Sequence, residues 1–262
     1  MEITGRTKIM FILADPVAHI RGSVILTQKL NEAGCDVAVS PLHVKPADLA
    51  AVIGTMRLLH NVPGFGITIP HKIPVRQHLD GETARATKVG SVNFVKREKD
   101  GRLVGDNVDG AGFVDGLVHS NISLIGKRVL QIGAGGAGRS IAFSVAGAGA
   151  SALSIYNRTA DKAAALAAAV QAANPDCKVS VGDLDPTGFD VIINTSSVGM
   201  KAEDPMLIDP DKLTSQMAVA EIIMMPELTP LLLAAHKRGC KTSLGKHMLE
   251  AQVQRVREFF EL

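Results

Sequence analysis

Residues 128–138 read RVLQIGAGGAG, an apolar run that leads into a cluster of glycines. The apolar run predicts a buried strand over 128–132, and the segment behind the glycines predicts a helix over 139–148. A G-x-G-x-x-G turn in this context binds a dinucleotide, because the glycines let the backbone approach a pyrophosphate and the helix amides attract it. We therefore predict a cofactor-binding turn at Gly133, Ala134, Gly135, Gly136, Ala137 and Gly138.

The second half of the chain continues this alternation of strands and helices. Further strands are predicted at 152–156, 178–181, 191–194 and 219–223, with a helix over the Ala-rich segment 160–173. Repeated strand–helix–strand units predict a doubly wound parallel sheet, the Rossmann arrangement, for residues 109–245.

The first half also has an α/β pattern. Strands are predicted at 9–13, 36–42, 65–69 and 91–96, and helices at 24–32, 46–59 and 70–79. Asp100-Gly101 predicts a hairpin turn between 92–97 and 102–105. We expect an α/β substrate-binding lobe over residues 1–108, with the last helix, 246–262, packing back on it and a cleft between the two lobes.

Composition narrows the class of protein. A length of 262 residues suits two α/β lobes, and a net charge of +2 with no Trp and one Tyr gives no sign of nucleic-acid binding. The three cysteines are scattered, and no metal-binding spacing occurs. No apolar run predicts a membrane span, so we expect a cytoplasmic protein, a monomer or a homodimer.

The residues after the second strand of this lobe indicate which dinucleotide binds. An NAD site usually has an acidic residue there, against the ribose 2′-hydroxyl. This chain has Asn157-Arg158-Thr159, followed by Lys162 one turn later. A guanidinium pairs with phosphate in a forked geometry, so the sequence favours NADP over NAD, although NAD remains possible.

Hydride transfer from an alcohol also requires a general base near the hydroxyl. The eight histidines form no triad or metal pattern. Two other segments are rich in polar groups: residues 66–72, which read GITIPHK, and residues 105–110, which read GDNVDG.

With these segments, nearly the whole chain resembles the shikimate dehydrogenase family. Residues 68–72 are similar to its catalytic-lysine segment, 89–93 to its substrate-asparagine segment and 107–110 to its aspartate segment. Residues 193–200, 226–232 and 248–252 are similar to later motifs. The resemblance implies that Lys72 and Asp109 are catalytic, and that Lys72 handles the proton of the substrate hydroxyl. It further implies substrate contacts by Thr68, Asn93 and Gln252, and cofactor contacts by Thr195, Ser196 and Gly245.

This activity is the interconversion of shikimate or quinate with the corresponding 3-dehydro ketone, within the shikimate pathway of aromatic amino acid biosynthesis. The sequence departs from the family in its first motif, where two serines normally bind the substrate carboxylate. Ile20 and Gly22 occupy those positions.

Other polar positions are also altered. Val108 and Phe94 replace threonines, and Met224 replaces a tyrosine. Three interpretations remain open. Arg21 or Ser23 supplies the contact to the carboxylate, or the chain acts on a different cyclic alcohol, or it is a dinucleotide-binding regulator with little turnover.

Overall fold

The computed structural model describes residues 2–18 and 20–262; His19, in the first motif, lies outside the described residues. Contacts divide the chain into two compact units. The first unit comprises Met1–Val108 and Gln252–Leu262, and the second comprises Asp109–Ala251.

The first unit is built on a mixed six-stranded sheet in the order β2-β1-β3-β5-β6-β4. Strand β1 is parallel to β2 and β3, whereas β5 is antiparallel to both β3 and β6. The strands are β1 (Lys8–Ala14), β2 (Val37–His43), β3 (Gly64–Ile67), β4 (Gly81–Glu82), β5 (Phe94–Arg97) and β6 (Leu103–Asp106). The helices are α1 (Gly22–Glu32), α2 (Leu49–Met56) and α3 (Ala84–Val89), with short 3-10 helices at Pro46–Asp48 and Pro74–His78. The predicted hairpin is confirmed as β5 and β6.

The predicted helix over 70–79 is wrong. This segment consists of turns followed by the 3-10 helix Pro74–His78. Pro74 lies in the interior of the predicted helix, where it lacks the amide hydrogen that would bond to the carbonyl of residue 70, so helical periodicity does not produce an α-helix here. Helix α3 and the short strand β4 were not predicted at all.

Apolar side chains from one face of this sheet form a core of the first unit. Phe65, Val95 and Leu103 come from the sheet and are fully buried, and Ile53 packs against them from α2. The end of the chain joins the same unit: the ring of Phe260 meets that of Phe94 edge to face at 5.9 Å. Lys96 Nζ also lies 2.5 Å from Glu261 Oε1.

The second unit confirms the predicted Rossmann arrangement. Its six strands lie in the order β12-β11-β10-β7-β8-β9, and every neighbouring pair is parallel. The strands are β7 (Arg128–Ile132), β8 (Ala152–Tyr156), β9 (Lys178–Val181), β10 (Val191–Asn194), β11 (Ala218–Glu221) and β12 (Lys241–Ser243). The helices are α4 (Asp109–His119), α5 (Gly136–Gly147), α6 (Ala160–Ala173) and α7 (Pro230–Lys237), and α8 (Gly245–Phe260) begins in this unit, while its residues from Gln252 onward belong to the first unit. Strand β12 and helix α7 were not predicted.

Candidate functional site

The glycine-rich turn connects β7 to α5. Gly133 adopts φ +114°, a conformation that side chains disfavour, and a Cβ there would lie 2.6 Å from Thr195 Oγ1. A Cβ on Gly138 would lie 2.5 Å from the same oxygen, so both positions require glycine. A Cβ on Gly135 would meet no atom within 4 Å, so the backbone in front of α5 borders open space. The turn therefore has the close packing behind and the open front that a pyrophosphate needs.

Two buried polar side chains brace this turn from behind. Gln131, fully buried in β7, donates from Nε2 to Gly133 O at 2.9 Å and to Gly138 O at 2.8 Å. The hydroxyl of Thr195 donates to Ile132 O at 3.0 Å and to Gly133 O at 3.1 Å. Thr195 thus stabilises the backbone of the turn through hydrogen bonds on its buried side. Sequence reasoning missed Gln131, and the available signal was an amide in the middle of an otherwise apolar strand.

Polar residues after β8 extend the turn. Ala134 N donates to Asn157 Oδ1 at 3.0 Å, and Asn157 Nδ2 donates to Thr159 O at 2.9 Å, so Asn157 links the turn to the start of α6. Arg158, Thr159 and Lys162 are all exposed. Within the described part of the chain, no carboxylate pairs with Arg158 or Lys162. These two cations fit a 2′-phosphate.

The loop after β10 lies beside the turn through Thr195. Ser196 is half-buried, and its amide and hydroxyl both donate to Asn194 Oδ1, at 2.9 and 2.7 Å. Gly245, at the start of α8, is buried, and a Cβ there would lie 2.2 Å from Ile223 O. Only glycine lets α8 begin this close to the chain that leaves β11.

In the first unit, backbone hydrogen bonds bring the segments of Thr68, Lys72 and Asn93 together at one edge of the sheet. Ile67 N donates to Asn93 O, His71 N to Thr68 O and Val92 N to Lys72 O, each at 2.8 Å. Thr68 and Lys72 are half-buried, whereas Asn93 is 4% exposed.

Asn93 also fixes the segment that leads to Asp109. Its Oδ1 accepts a hydrogen bond from Val108 N at 2.9 Å. Just before this, Asp106 is almost fully buried, accepts from Thr83 Oγ1 at 2.5 Å and forms an ion pair with Arg85. Sequence reasoning did not single out Asp106, because its partner lies on the unpredicted helix α3.

Asp109 is the first residue of α4 and is 4% exposed. The next residue, Gly110, donates from its amide to Ser140 Oγ at 2.8 Å. A Cβ on Gly110 would lie 2.2 Å from Ser140 O, so α4 and α5 meet here at backbone distance. This contact fixes Asp109 relative to the helix that carries the glycine-rich turn.

The described residues of the first motif differ in their exposure. Arg21 is exposed, Ile20 is half-buried, and Ser23 is 5% exposed inside the first turn of α1. Arg21 occupies the N-cap position of α1 without a side-chain capping hydrogen bond.

The remaining predicted substrate contact, Gln252, lies on α8 and is 3% exposed.

Two further features bear on the class of protein. Among the described residues, no group of three or more His, Cys, Asp or Glu side chains is arranged to hold a metal ion. None of the described helices combines the length and the hydropathy needed to cross a membrane.

Comparison with known proteins gives matches over both units. Residues 12–95 match the shikimate dehydrogenase substrate binding domain, and residues 117–201 match the shikimate / quinate 5-dehydrogenase family. The NADP(+) shikimate dehydrogenase of Geobacter metallireducens is 36% identical over 260 residues, which is 96% of this chain and 90% of the relative.

Two solved structures share the whole architecture. A shikimate dehydrogenase in complex with NADP+ superimposes with a TM-score of 0.90 at 32% identity, covering 99% of this chain and 91% of that one. The 5-ketofructose reductase of Gluconobacter sp. strain CHM43 superimposes with a TM-score of 0.85 at 31% identity, covering 98% and 94%.

Proposed function

The chain belongs to the shikimate dehydrogenase family, and on this premise we propose that it is an NADP-dependent oxidoreductase of a cyclic hydroxy acid. The reaction interconverts an alcohol such as shikimate or quinate with its 3-dehydro ketone. Such a protein requires a dinucleotide turn, a group that exchanges a proton with the substrate and polar contacts to the ring hydroxyls.

One observation carries this proposal: the backbone amides on either side of Asp109, those of Val108 and Gly110, both donate hydrogen bonds to predicted site elements. Val108 N donates to Asn93 Oδ1, next to the segment of Lys72. Gly110 N donates to Ser140 Oγ on α5, the helix of the glycine-rich turn. Asp109 lies between these two hydrogen bonds. A short, doubly anchored segment supports the role of Asp109 as an orienting carboxylate.

The second unit supplies the residues that would hold NADP. The open front of Gly133–Gly138 would receive the pyrophosphate, and Arg158 and Lys162 would receive the 2′-phosphate. When bound, the nicotinamide accepts or donates the hydride. Gln131 and Thr195 keep the turn in shape.

We assign proton transfer to Lys72. Its amine takes the hydroxyl proton during oxidation and returns it during reduction, and the carboxylate of Asp109 orients the ammonium form. Asn93 and Gln252 are buried amides that would bind ring hydroxyls, and Thr68 is a third candidate contact. Asn93 Oδ1 accepts from Val108 N, and this hydrogen bond fixes how the amide of Asn93 is oriented.

Turnover of defined substrates tests this function. The purified chain is mixed with NADPH or NADH and with 3-dehydroshikimate or 3-dehydroquinate, and nucleotide oxidation is followed by absorbance. We expect NADPH oxidation with at least one of these ketones, and slower oxidation of NADH. Tight NADPH binding without turnover of any ketone would instead support a regulatory protein.

A second candidate substrate is a neutral polyhydroxy ketone, such as 5-ketofructose. Ile20 and Gly22 offer no hydroxyl where the family binds a carboxylate, and burying a carboxylate without donors is costly. Phe94 and Val108 add buried apolar side chains at 5% and 0% exposure. The similarity to a 5-ketofructose reductase supports the same interpretation.

Exchange of these two residues separates the candidates. If the natural substrate is neutral, the unmodified chain reduces 5-ketofructose with a higher kcat/KM than 3-dehydroshikimate. Ile20→Ser combined with Gly22→Ser then raises kcat/KM for 3-dehydroshikimate by about tenfold or more, because hydrogen bonds to a charged group are strong. A higher kcat/KM for 3-dehydroshikimate in the unmodified chain would refute the second candidate.

A further inference from the structure

A carboxyl group that the proposed mechanism does not use is buried at the end of β11. Glu221 is 1% exposed and lies opposite Asn194 in the parallel register of β10 and β11. Among the described residues, no Lys, Arg or His forms an ion pair with it. A buried carboxylate without a counterion is unfavourable, so the acid form is favoured.

The Glu221 carboxyl holds one side-chain amide. Its Oε1 accepts from Asn194 Nδ2 at 2.9 Å, and the same nitrogen donates to Val198 O at 3.0 Å. The other end of the amide, Oδ1, accepts from the amide and hydroxyl of Ser196. Asn194 thus uses both donors and its acceptor, and together they define the path of residues 195–198.

The other side of the carboxyl faces α7. Thr229 is fully buried and caps α7, because its Oγ1 accepts from Leu232 N at 3.2 Å. Gly199, at φ +107°, passes close to this threonine: a Cβ on Gly199 would lie 3.6 Å from Thr229 Cβ. Burial raises the pKa of Glu221 above its ordinary value, and the polar side chains of Asn194 and Thr229 offset this only in part. One oxygen, Oε2, is buried without a hydrogen-bond partner.

We propose that Glu221 is a positioning residue for the cofactor loop, residues 195–199, and that its uncharged form holds this loop in shape through Asn194. Ionisation would place a charge beside Asn194 and Thr229, which are neutral, and would loosen the loop. The proposal rests on the proposed function in one respect, namely that this loop contacts NADP(H).

The direction of the pH effect follows from the raised pKa. In the unfolded chain Glu221 ionises near its ordinary value of 4.5, whereas in the folded chain it keeps its proton to higher pH. The contribution to stability is therefore complete below the unfolded pKa and is lost as the pH rises through the folded pKa. Loop shape, and with it NADPH affinity, should weaken over the same interval.

Glu221→Gln tests the proposal, because a glutamine keeps the acceptor for Asn194 and cannot ionise. The dissociation constant of NADPH, from its fluorescence, and the melting temperature are measured from about pH 5.5 to about pH 9 at constant ionic strength. We expect the ratio of the wild-type constant to that of Glu221→Gln to rise several-fold with pH. The wild-type melting temperature should fall relative to the variant over the same range.

Two other variants complete the test. Asp176→Asn removes an exposed carboxylate from the same unit and should keep the wild-type pH profile. Glu221→Ala removes the acceptor and should weaken NADPH binding about tenfold at every pH, the loss of one hydrogen bond to the loop. If Glu221→Ala does not fold, the comparison of the pH profiles of the wild type and Glu221→Gln still tests the proposal.

Identical pH profiles for wild type and Glu221→Gln would overturn the proposal. So would a lower melting temperature in Glu221→Ala with unchanged NADPH affinity, since this marks a purely structural residue. A wild-type chain that binds no NADPH at all would instead refute the proposed function, and the melting profiles would still report on Glu221.

Discussion

The amide of Gly110 donates a hydrogen bond of 2.8 Å to the hydroxyl of Ser140, which joins the start of α4 to the early turns of α5. The contact is possible only because residue 110 has no side chain. It connects the residue after Asp109 with the helix that begins at the glycine-rich turn. The residue assigned to orient Lys72 therefore directly precedes a glycine that is hydrogen-bonded to the helix that would receive the cofactor.

Gly110→Ala should damage this contact. The added Cβ would lie 2.2 Å from Ser140 O and 2.3 Å from Ser144 Oγ, so the two helices must separate. Overpacking of this kind costs about 1–3 kcal/mol of unfolding free energy, measured by urea denaturation. Gly54→Ala in α2 is the matched control, because a Cβ there meets nothing within 4 Å, and it should leave stability equal or higher. Equal stability changes in both variants would contradict the role of the contact.

Gln131→Leu should loosen the cofactor turn. Leucine fits an apolar strand but cannot donate to Gly133 O or Gly138 O, so the latter loses a donor inside the protein. We expect the NADPH dissociation constant to rise about tenfold, measured by fluorescence titration. Gln171→Leu, which removes the acceptor of Val179 N far from the turn, should lower stability without this change in affinity. A loss of NADPH affinity in Gln171→Leu but not in Gln131→Leu would contradict the role of Gln131 in stabilising the turn.

Arg158→Ala should change cofactor preference. The guanidinium is exposed and would pair with the 2′-phosphate, an interaction that NADH cannot make. We expect NADPH affinity to fall about tenfold to a hundredfold while NADH affinity changes less than about twofold. Lys178→Ala removes an exposed cation on β9 and should affect neither. Equal losses for both nucleotides would contradict the assignment.

Strands β7 to β11 of the Rossmann half were predictable because each signal there is local, whereas β12 and α7 were not predicted. The glycines, the preceding apolar strand and the following helix lie within one short stretch, and the strands match the observed ones to within a few residues. In the first half, the periodicity over 70–79 was misleading, because Pro74 in the interior of this range breaks an α-helix. The spacing of apolar residues alone does not show where proline removes a backbone N–H donor.

The supporting polar residues were not predictable for a different reason. Glu221 depends on Asn194, which is 27 residues away, and Asp106 depends on Arg85, which is 21 residues away. Their roles come from strand order and register, which single-sequence patterns do not contain. Gln131 was the exception, because an amide in a buried strand is a visible anomaly.

The loss of hydroxyls at Ile20 and Gly22 shows the opposite case. Here the departure from the family is visible in the sequence itself. The backbone around α1 adds little further information about what binds there. The choice between a hydroxy acid and a neutral keto sugar depends on the chemistry of a few side chains, on a fold that both kinds of enzyme share.

The role of Lys72 is tested most directly by the turnover of Lys72→Met, with Lys99→Met as the control on an exposed lysine of the same unit. The rate is measured at saturating NADPH with the best ketone of the panel, and NADPH affinity is measured alongside. We predict a fall in kcat of about 10²–10⁴-fold, with the NADPH dissociation constant within about twofold of wild type. A Lys72→Met rate close to that of the Lys99→Met control would contradict proton transfer by Lys72.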